Sequence, residues 1–239
     1  MSLAKLAGNS RTRFQNVYIF LLLIIPLAIL GFWKSYFGII NSLPEHISPL
    51  VHIHGWLMFL WLLMLIAQAG VMRARRFRVH RWIGRGSYIL APVAILSGLA
   101  ALHHEFNRTF EFARVDVIAL GMVLAFSTTW TLGIVYKNNM QLHARYMIST
   151  AFAIGSAIVF RVFINWVPGF ESEPVSVIGN GVIHFLPLAM LIAMDWRKGI
   201  RLSAFWVVTV ILGIAHLGYW TFANADGWLG FCAWYANLI

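Results

Sequence analysis

The sequence predicts an all-α integral membrane bundle of about seven transmembrane helices, forming a single transmembrane domain over residues 1–239. Three observations predict it. Only 11% of the 239 residues are charged and 60% are hydrophobic, with a mean hydropathy of +0.76; a water-soluble domain is about 25% charged. The apolar stretches are long and unbroken rather than alternating, so helices rather than a barrel satisfy the backbone in lipid. Finally, the basic residues gather on alternate connections between those stretches.

Taken in order, the apolar stretches predict helices over Asn16–Phe37, Pro49–Met72, Ile83–His104, Val115–Tyr136, Met147–Pro168, Val175–Trp196 and Ala204–Asn224. Each approaches the ~20 residues that cross the hydrocarbon layer. Ser48 followed by Pro49 is a start signal for the second, a capping hydroxyl before a residue that needs no amide partner. Short connections make successive helices antiparallel neighbours. Residues 1–14 form a basic cytoplasmic N-terminus, with the first helix retained rather than cleaved as a signal peptide. Residues 225–239 form an outer aromatic tail. Trp33, Trp166, Trp220, Trp228 and Trp234 read as a belt at the outer interface.

Charge sets the orientation as N-in, C-out. The inner segments then carry Lys5, Arg11, Arg13, Arg73, Arg75, Arg76, Arg78, Arg81, Arg85, Lys137, Arg145, Arg197, Lys198 and Arg201, fourteen of the eighteen bases. Asp195 is the one acid on that side. The positive-inside pattern accounts for the net charge of +10 without nucleic acid as a partner; the basic loop 73–85 suits anionic lipid headgroups. A single cysteine, Cys232, excludes an intrachain disulfide framework and cysteine-built clusters. No Walker, Rossmann, nucleophile-elbow or HExxH pattern is present, which argues against nucleotide-driven chemistry within the chain.

Nine histidines in so apolar a chain are the feature that points to chemistry, because imidazole ligates metals and relays protons. His54 shares a helical stripe with Met58, Trp61, Leu65 and Gln68, so the stripe is expected to face the bundle, with His52 turned to an interface. Gly55 beside it would admit a helix or flat cofactor. Counting ~1.5 Å per residue from the outer ends, His54, His216 and His184 lie roughly 8, 12 and 15 Å deep. They are expected to ligate haem b or a transition metal, copper or iron; the alternative is hydrogen bonding between helices. Asn180 lies one turn from His184. At the inner boundary His80, His143, Arg81, Arg145 and Gln68 form a candidate pocket for a haem propionate, a phosphate or a quinone oxygen. Arg161 either snorkels outward or pairs with Asp116, and His103 and His104 end the third helix at the aqueous boundary. A short internal repeat is visible: RVHRWIGRGS and QLHARYMIST each place a hydroxyl, Ser87 or Thr150, seven residues after a histidine.

The motifs HxHG, a helix ending in Gln68, HRxxGR and HxRxM resemble those of a family of uncharacterised bacterial multi-pass membrane proteins. The likeness rests on His54, Gly55, Gln68, His80, Arg81, Gly84, Arg85, His143, Arg145 and Met147. It implies a bacterial cytoplasmic membrane protein. The pattern of basic loop, histidine, glycine and helix is also similar to cytochrome b561-type proteins, although those place haem ligands within helices in paired layers. Three functions follow as expectations. The first is a membrane-embedded redox protein acting on a quinone or other lipophilic substrate. The second is an enzyme or accessory protein tailoring a pigment, antibiotic or lipid. The third is a transporter, sensor or assembly factor without a cofactor. A membrane protein partner would supply electrons where they are needed.

Overall fold

The computed structural model describes residues 17–42, 48–108, 113–200 and 203–238. Among the described residues the chain is helical throughout, with no strand. The helices are α1 (Val17–Gly31), α2 (Pro49–Arg73), α3 (Phe77–Arg108), α4 (Ala113–Val135), α5 (Met140–Trp166), α6 (Glu173–Trp196), α7 (Phe205–Thr221) and α8 (Asp226–Ala236), with a 3₁₀ turn at Phe37–Ser42. Five of them, α2 to α6, are each long and apolar enough to cross a membrane, and α7 with α8 makes a sixth candidate bent by 109° at a short break. Large apolar side chains such as Ile89, Leu96, Ile214 and Leu217 stand open on the outside of the bundle. That surface suits lipid and not water. The protein is a multi-pass helical membrane protein.

α5 is the hub. It packs against α1, α2, α4, α6 and α7, while α3 packs against α2, α4 and α8. The reason is in its sequence. Ser149, Thr150, Ala151, Ala153 and Ser156 are all buried and lie around the helix, not along one stripe. Without a hydrophobic drive between helices in lipid, small side chains that let backbones close up decide which helix is central. Trp61 of α2 donates through Nε1 to Thr150 Oγ1 at 3.0 Å, an interhelical bond of the kind that contributes about 0.6–1.7 kcal/mol in membranes.

Helix boundaries differ from expectation in a consistent way. α3 begins at Phe77 rather than Ile83, and α5 at Met140 rather than Met147. Basic residues expected in loops are therefore the first turns of helices. Arginine is a good helix former, and Asn139 caps α5 by accepting from the amides of Gln141 and Leu142. The connection between α2 and α3 shrinks to a tight turn in which Arg75 takes a left-handed φ of 55°. α1 ends early, at Gly31. Asn165 Nδ2 donates to Gly31 O at 3.2 Å and Trp166 Nε1 to Leu30 O at 2.8 Å, so carbonyls left over at the helix end are satisfied by α5. The aromatic tail is helical: α8 folds back so that the Tyr235 hydroxyl donates to Leu99 O of α3 at 3.1 Å. The expected cytoplasmic segment 1–14, with Lys5, Arg11 and Arg13, and the inner-side Arg201 lie outside the described residues.

The start of α2 is as expected, with Ser48 Oγ accepting from Leu50 N at 3.2 Å. Replacing Ser48 with alanine is expected to cost about 1 kcal/mol, read as a lowered unfolding midpoint in detergent, and replacing it with aspartate to leave the midpoint nearly unchanged.

Candidate functional sites

Two histidine clusters form within the bundle, one at the end that carries Arg73, Lys137 and Lys198 (the basic end) and one deeper inside. At the basic end, His80 of α3 and His143 of α5 meet edge to face, their ring centroids 6.2 Å apart at 88°. Each ring is tied to the helix before its own. The His80 ring lies beside the main-chain carbonyl of Gln68 on α2. His143 Nδ1 donates to Gly133 O on α4 at 2.7 Å. That carbonyl is open to it because Lys137 N turns instead to Ile134 O at the end of α4. The repeat read in the sequence has the same local form in both hairpins: Ser87 Oγ donates to Gly84 O and Thr150 Oγ1 to Met147 O, each at 2.7 Å. Gln68 completes the cluster, its amide packed where a side chain on Gly84 would stand. Two buried atoms here have no hydrogen-bond partner, Gln68 Oε1 and His80 Nδ1.

Arg145 does not join that cluster. Its Nε and Nη2 donate to the two oxygens of Asp195 at 2.8 and 2.9 Å, and Ser203 Oγ donates to Asp195 Oδ2 at 2.7 Å. Arg145 is 3% exposed and Asp195 0%. The guanidinium expected to receive an external anion is thus held by an internal one, in a clamp joining α5, α6 and the start of α7. Arg81 and Arg85 are exposed, with Arg81 within electrostatic reach of His80.

The deeper cluster lies between α5, α6 and α7. His216 Nδ1 donates to Leu212 O at 2.8 Å, which fixes the tautomer and leaves Nε2 with a lone pair. That nitrogen is 3.4 Å from the side-chain amide of Asn180, which also reaches Ser156 Oγ at 3.1 Å. His184 stands one turn after Asn180 on α6, and both its ring and that of His216 pack edge-on against Phe185 at 5.8 and 5.1 Å. Asn180 and His184 are 1% and 3% exposed. Asn180 Oδ1 and His184 Nε2 are buried without a hydrogen-bond partner.

His54 is apart from this pair. Its stripe faces the bundle as expected, with Trp61 and Leu65 buried, but its Nδ1 pairs with Ser97 Oγ of α3 at 3.0 Å. The glycine that makes room for it is Gly98 on α3, not Gly55, which faces open space. Among the described residues no three His, Cys, Asp or Glu side chains are grouped to hold a metal ion. The expected trio of His54, His184 and His216 is therefore reduced to a pair, because α2 rotates its histidine toward α3. The rings of Phe152 and Phe185 stand edge-on to His184, each at 5.8 Å.

The remaining titratable groups have structural neighbours. His52 Nδ1 pairs with the Tyr36 hydroxyl at 2.9 Å. His103 lies edge-on to Tyr235 of α8 at 5.5 Å. Arg161 lies over the ring of Phe32 at 4.7 Å. Asp195, Ser203 and Ser156 were not singled out as site residues by the sequence; for Asp195 the signal was its lone position among the bases.

The fold and these sites define a class, a multi-pass helical membrane protein with two histidine clusters within its bundle. Comparison with family models, curated proteins and solved structures finds no match.

Proposed function

We propose that the chain is a redox protein of the bacterial cytoplasmic membrane, crossing it seven times with the N-terminus inside, and that it binds the polar head of a quinone-type lipophile at the basic end. One observation carries the reading. Gln68, His80 and His143 come together from three helices, and Gln68 Oε1 and His80 Nδ1 are buried there with no hydrogen-bond partner. Gln68 Oε1 accepts, and His80 Nδ1 accepts in the tautomer that carries its proton on Nε2, so the complementary group is a hydroxyl, such as that of a quinol. Histidine there can take the proton that a quinol loses. The surrounding lipid is where such a molecule dissolves.

Seven crossings are supported by the ends of α1. Arg73 lies over the Tyr18 ring at 5.4 Å, and Tyr36 reaches His52, so α1 and its following turn run alongside nearly the whole of α2. The N-in orientation is supported by the bases clustered at the C-termini of α2, α4 and α6. The motif likeness supports the bacterial assignment.

The test is purification in detergent, followed by solvent extraction and ultraviolet identification of any quinone, with a visible spectrum before and after dithionite. A co-purifying quinone, lost in Gln68→Leu and His80→Phe but kept in Arg81→Gln, is the expected result. A Soret band that sharpens on reduction would instead make haem the electron carrier. A colourless, quinone-free sample would sink the proposal and leave transport or assembly as the working reading.

A further inference from the structure

We infer that the start of α3 is a binding site for an anionic phospholipid carrying two phosphates, with Arg78, Arg81 and Arg85 taking the headgroup and a notch at Gly86 taking the start of an acyl chain. The site lies on the outside of the bundle and shares no residue with the cluster of Gln68, His80 and His143.

Helix length places these residues. α3 has 32 residues, about 48 Å at ~1.5 Å each, against a hydrocarbon layer about 30 Å thick. Arginine is costly in hydrocarbon, so the first turns of α3 stand among the headgroups. Arg78, Trp82, Arg85, Ile89 and Leu96 fall on one line of the helix, with Arg81 beside it. The three arginines are exposed, and the line faces away from the bundle, with Trp82 75% and Ile89 73% exposed. Helical side chains lean toward the N-terminus of their own helix, so Arg85 reaches back toward Arg81 and the membrane surface. A Cβ on Gly86 would meet nothing within 4 Å. That leaves an open notch beside Trp82 and Ile89, where the helix surface passes from charge to hydrocarbon.

Charge selects the occupant. Asp195, the acid at this end, is held by Arg145. The other described acids, Asp116, Glu171, Glu173 and Asp226, lie at or just before the starts of α4, α6 and α8, at the opposite end. Among the described residues the α3 arginines therefore have no carboxylate at their own level, and the anion comes from outside the chain. Guanidinium forms paired hydrogen bonds with phosphate oxygens. Three guanidiniums within two turns, about 10 Å of helix, carry more charge than one phosphodiester neutralises, and a headgroup with two phosphates answers two of them. The apolar continuation through Ile89 and Leu96 fits an acyl chain, which neither an acidic protein surface nor a soluble phosphate supplies.

The experiment is native mass spectrometry of the full-length protein, delipidated in detergent and titrated with diphosphatidylglycerol, phosphatidylglycerol or phosphatidylcholine. The expected result is one tightly held diphosphatidylglycerol per chain, bound about fivefold or more tighter than phosphatidylglycerol, with phosphatidylcholine weaker still. The triple variant Arg78→Gln, Arg81→Gln, Arg85→Gln should weaken it about 100-fold. Removing as many charges elsewhere at the basic end, in Lys137→Gln, Arg197→Gln, Lys198→Gln, should leave it in place. Gly86→Leu keeps every charge and suits a helix; by filling the notch it displaces about two methylenes of the chain and should weaken binding about tenfold. Equal binding of the one-phosphate and two-phosphate lipids, equal losses in the two triple variants, undiminished binding in Gly86→Leu, or displacement of the lipid by millimolar pyrophosphate would each overturn the assignment. All the substituted side chains are exposed, so the fold is kept, and no residue of the quinone site is changed, so the two tests fail separately.

Discussion

Replacing Asp195 with alanine is expected to destabilise the protein by about 3–5 kcal/mol, the cost of leaving one member of a buried ion pair alone. Arg145 would keep its charge in a site 3% exposed, where Nη1 donates to Gln141 O at 3.0 Å but no longer faces a carboxylate. The measurement is the unfolding midpoint in detergent by far-ultraviolet circular dichroism, alongside the amount of protein recovered from membranes. Arg145→Ala should cost a similar amount, since it strands the carboxylate. The double variant Arg145→Met, Asp195→Leu should recover most of the loss, because apolar replacement of a whole buried pair is often neutral or better. Ser203→Ala removes one hydrogen bond to a charged group and should cost about 1.5–3 kcal/mol. An unchanged midpoint in Asp195→Ala would show that the clamp contributes nothing to stability and would return Arg145 to the set of candidate ligand-binding residues.

Gly121→Ala is expected to be nearly as damaging, although it adds only one methyl group. A Cβ on Gly121 would stand 2.3 Å from the Cβ of Ala215, far inside the contact distance of two methyl groups. α4 and α7 must then separate, at a cost of about 1–3 kcal/mol for overpacking. The effect reaches the deeper cluster directly, because His216 is the next residue on α7. Ala215→Gly placed in the same chain should restore the midpoint. Failure of that second change to rescue the first would mean that the helices do not approach as closely as described.

Much of the bundle is legible in the sequence because lipid imposes long apolar stretches and leaves little else to choose. The existence of α2 to α6 follows from that requirement alone. Their starts do not, where arginine and histidine look like loop residues but are good enough helix formers to extend α3 and α5 by a turn or more into the basic end. α8 was read as a tail because Trp228 and Trp234 suit an interface in any conformation. The basic-end cluster is legible: Gln68 lies near the end of α2 and His80 and His143 near the starts of α3 and α5, and short turns bring these ends to one side of the bundle. Rotation about a helix axis is another matter. The stripe through His54 identified the buried face of α2, but not that α3, with Ser97 and Gly98, would be the neighbour there. The pairing of Arg145 with Asp195 spans fifty residues with no periodic signal.

That same separation has a consequence for synthesis. Arg145 enters the membrane with α5, and its counterion follows fifty residues later at the end of α6. At 5–20 residues per second the interval is roughly 3–10 s. During it α5 carries an unneutralised guanidinium into a lipid environment, while the helix that is to become the hub has only its earlier neighbours to lean on. The nascent chain therefore depends on shelter at the insertion machinery, or on the arginine reaching for headgroups at the basic end, until α6 is released. Ribosome stalling placed before Asp195, which leaves the chain tunnel-bound, should leave a cysteine introduced into the middle of α5 open to a water-soluble maleimide, and release of α6 should close it.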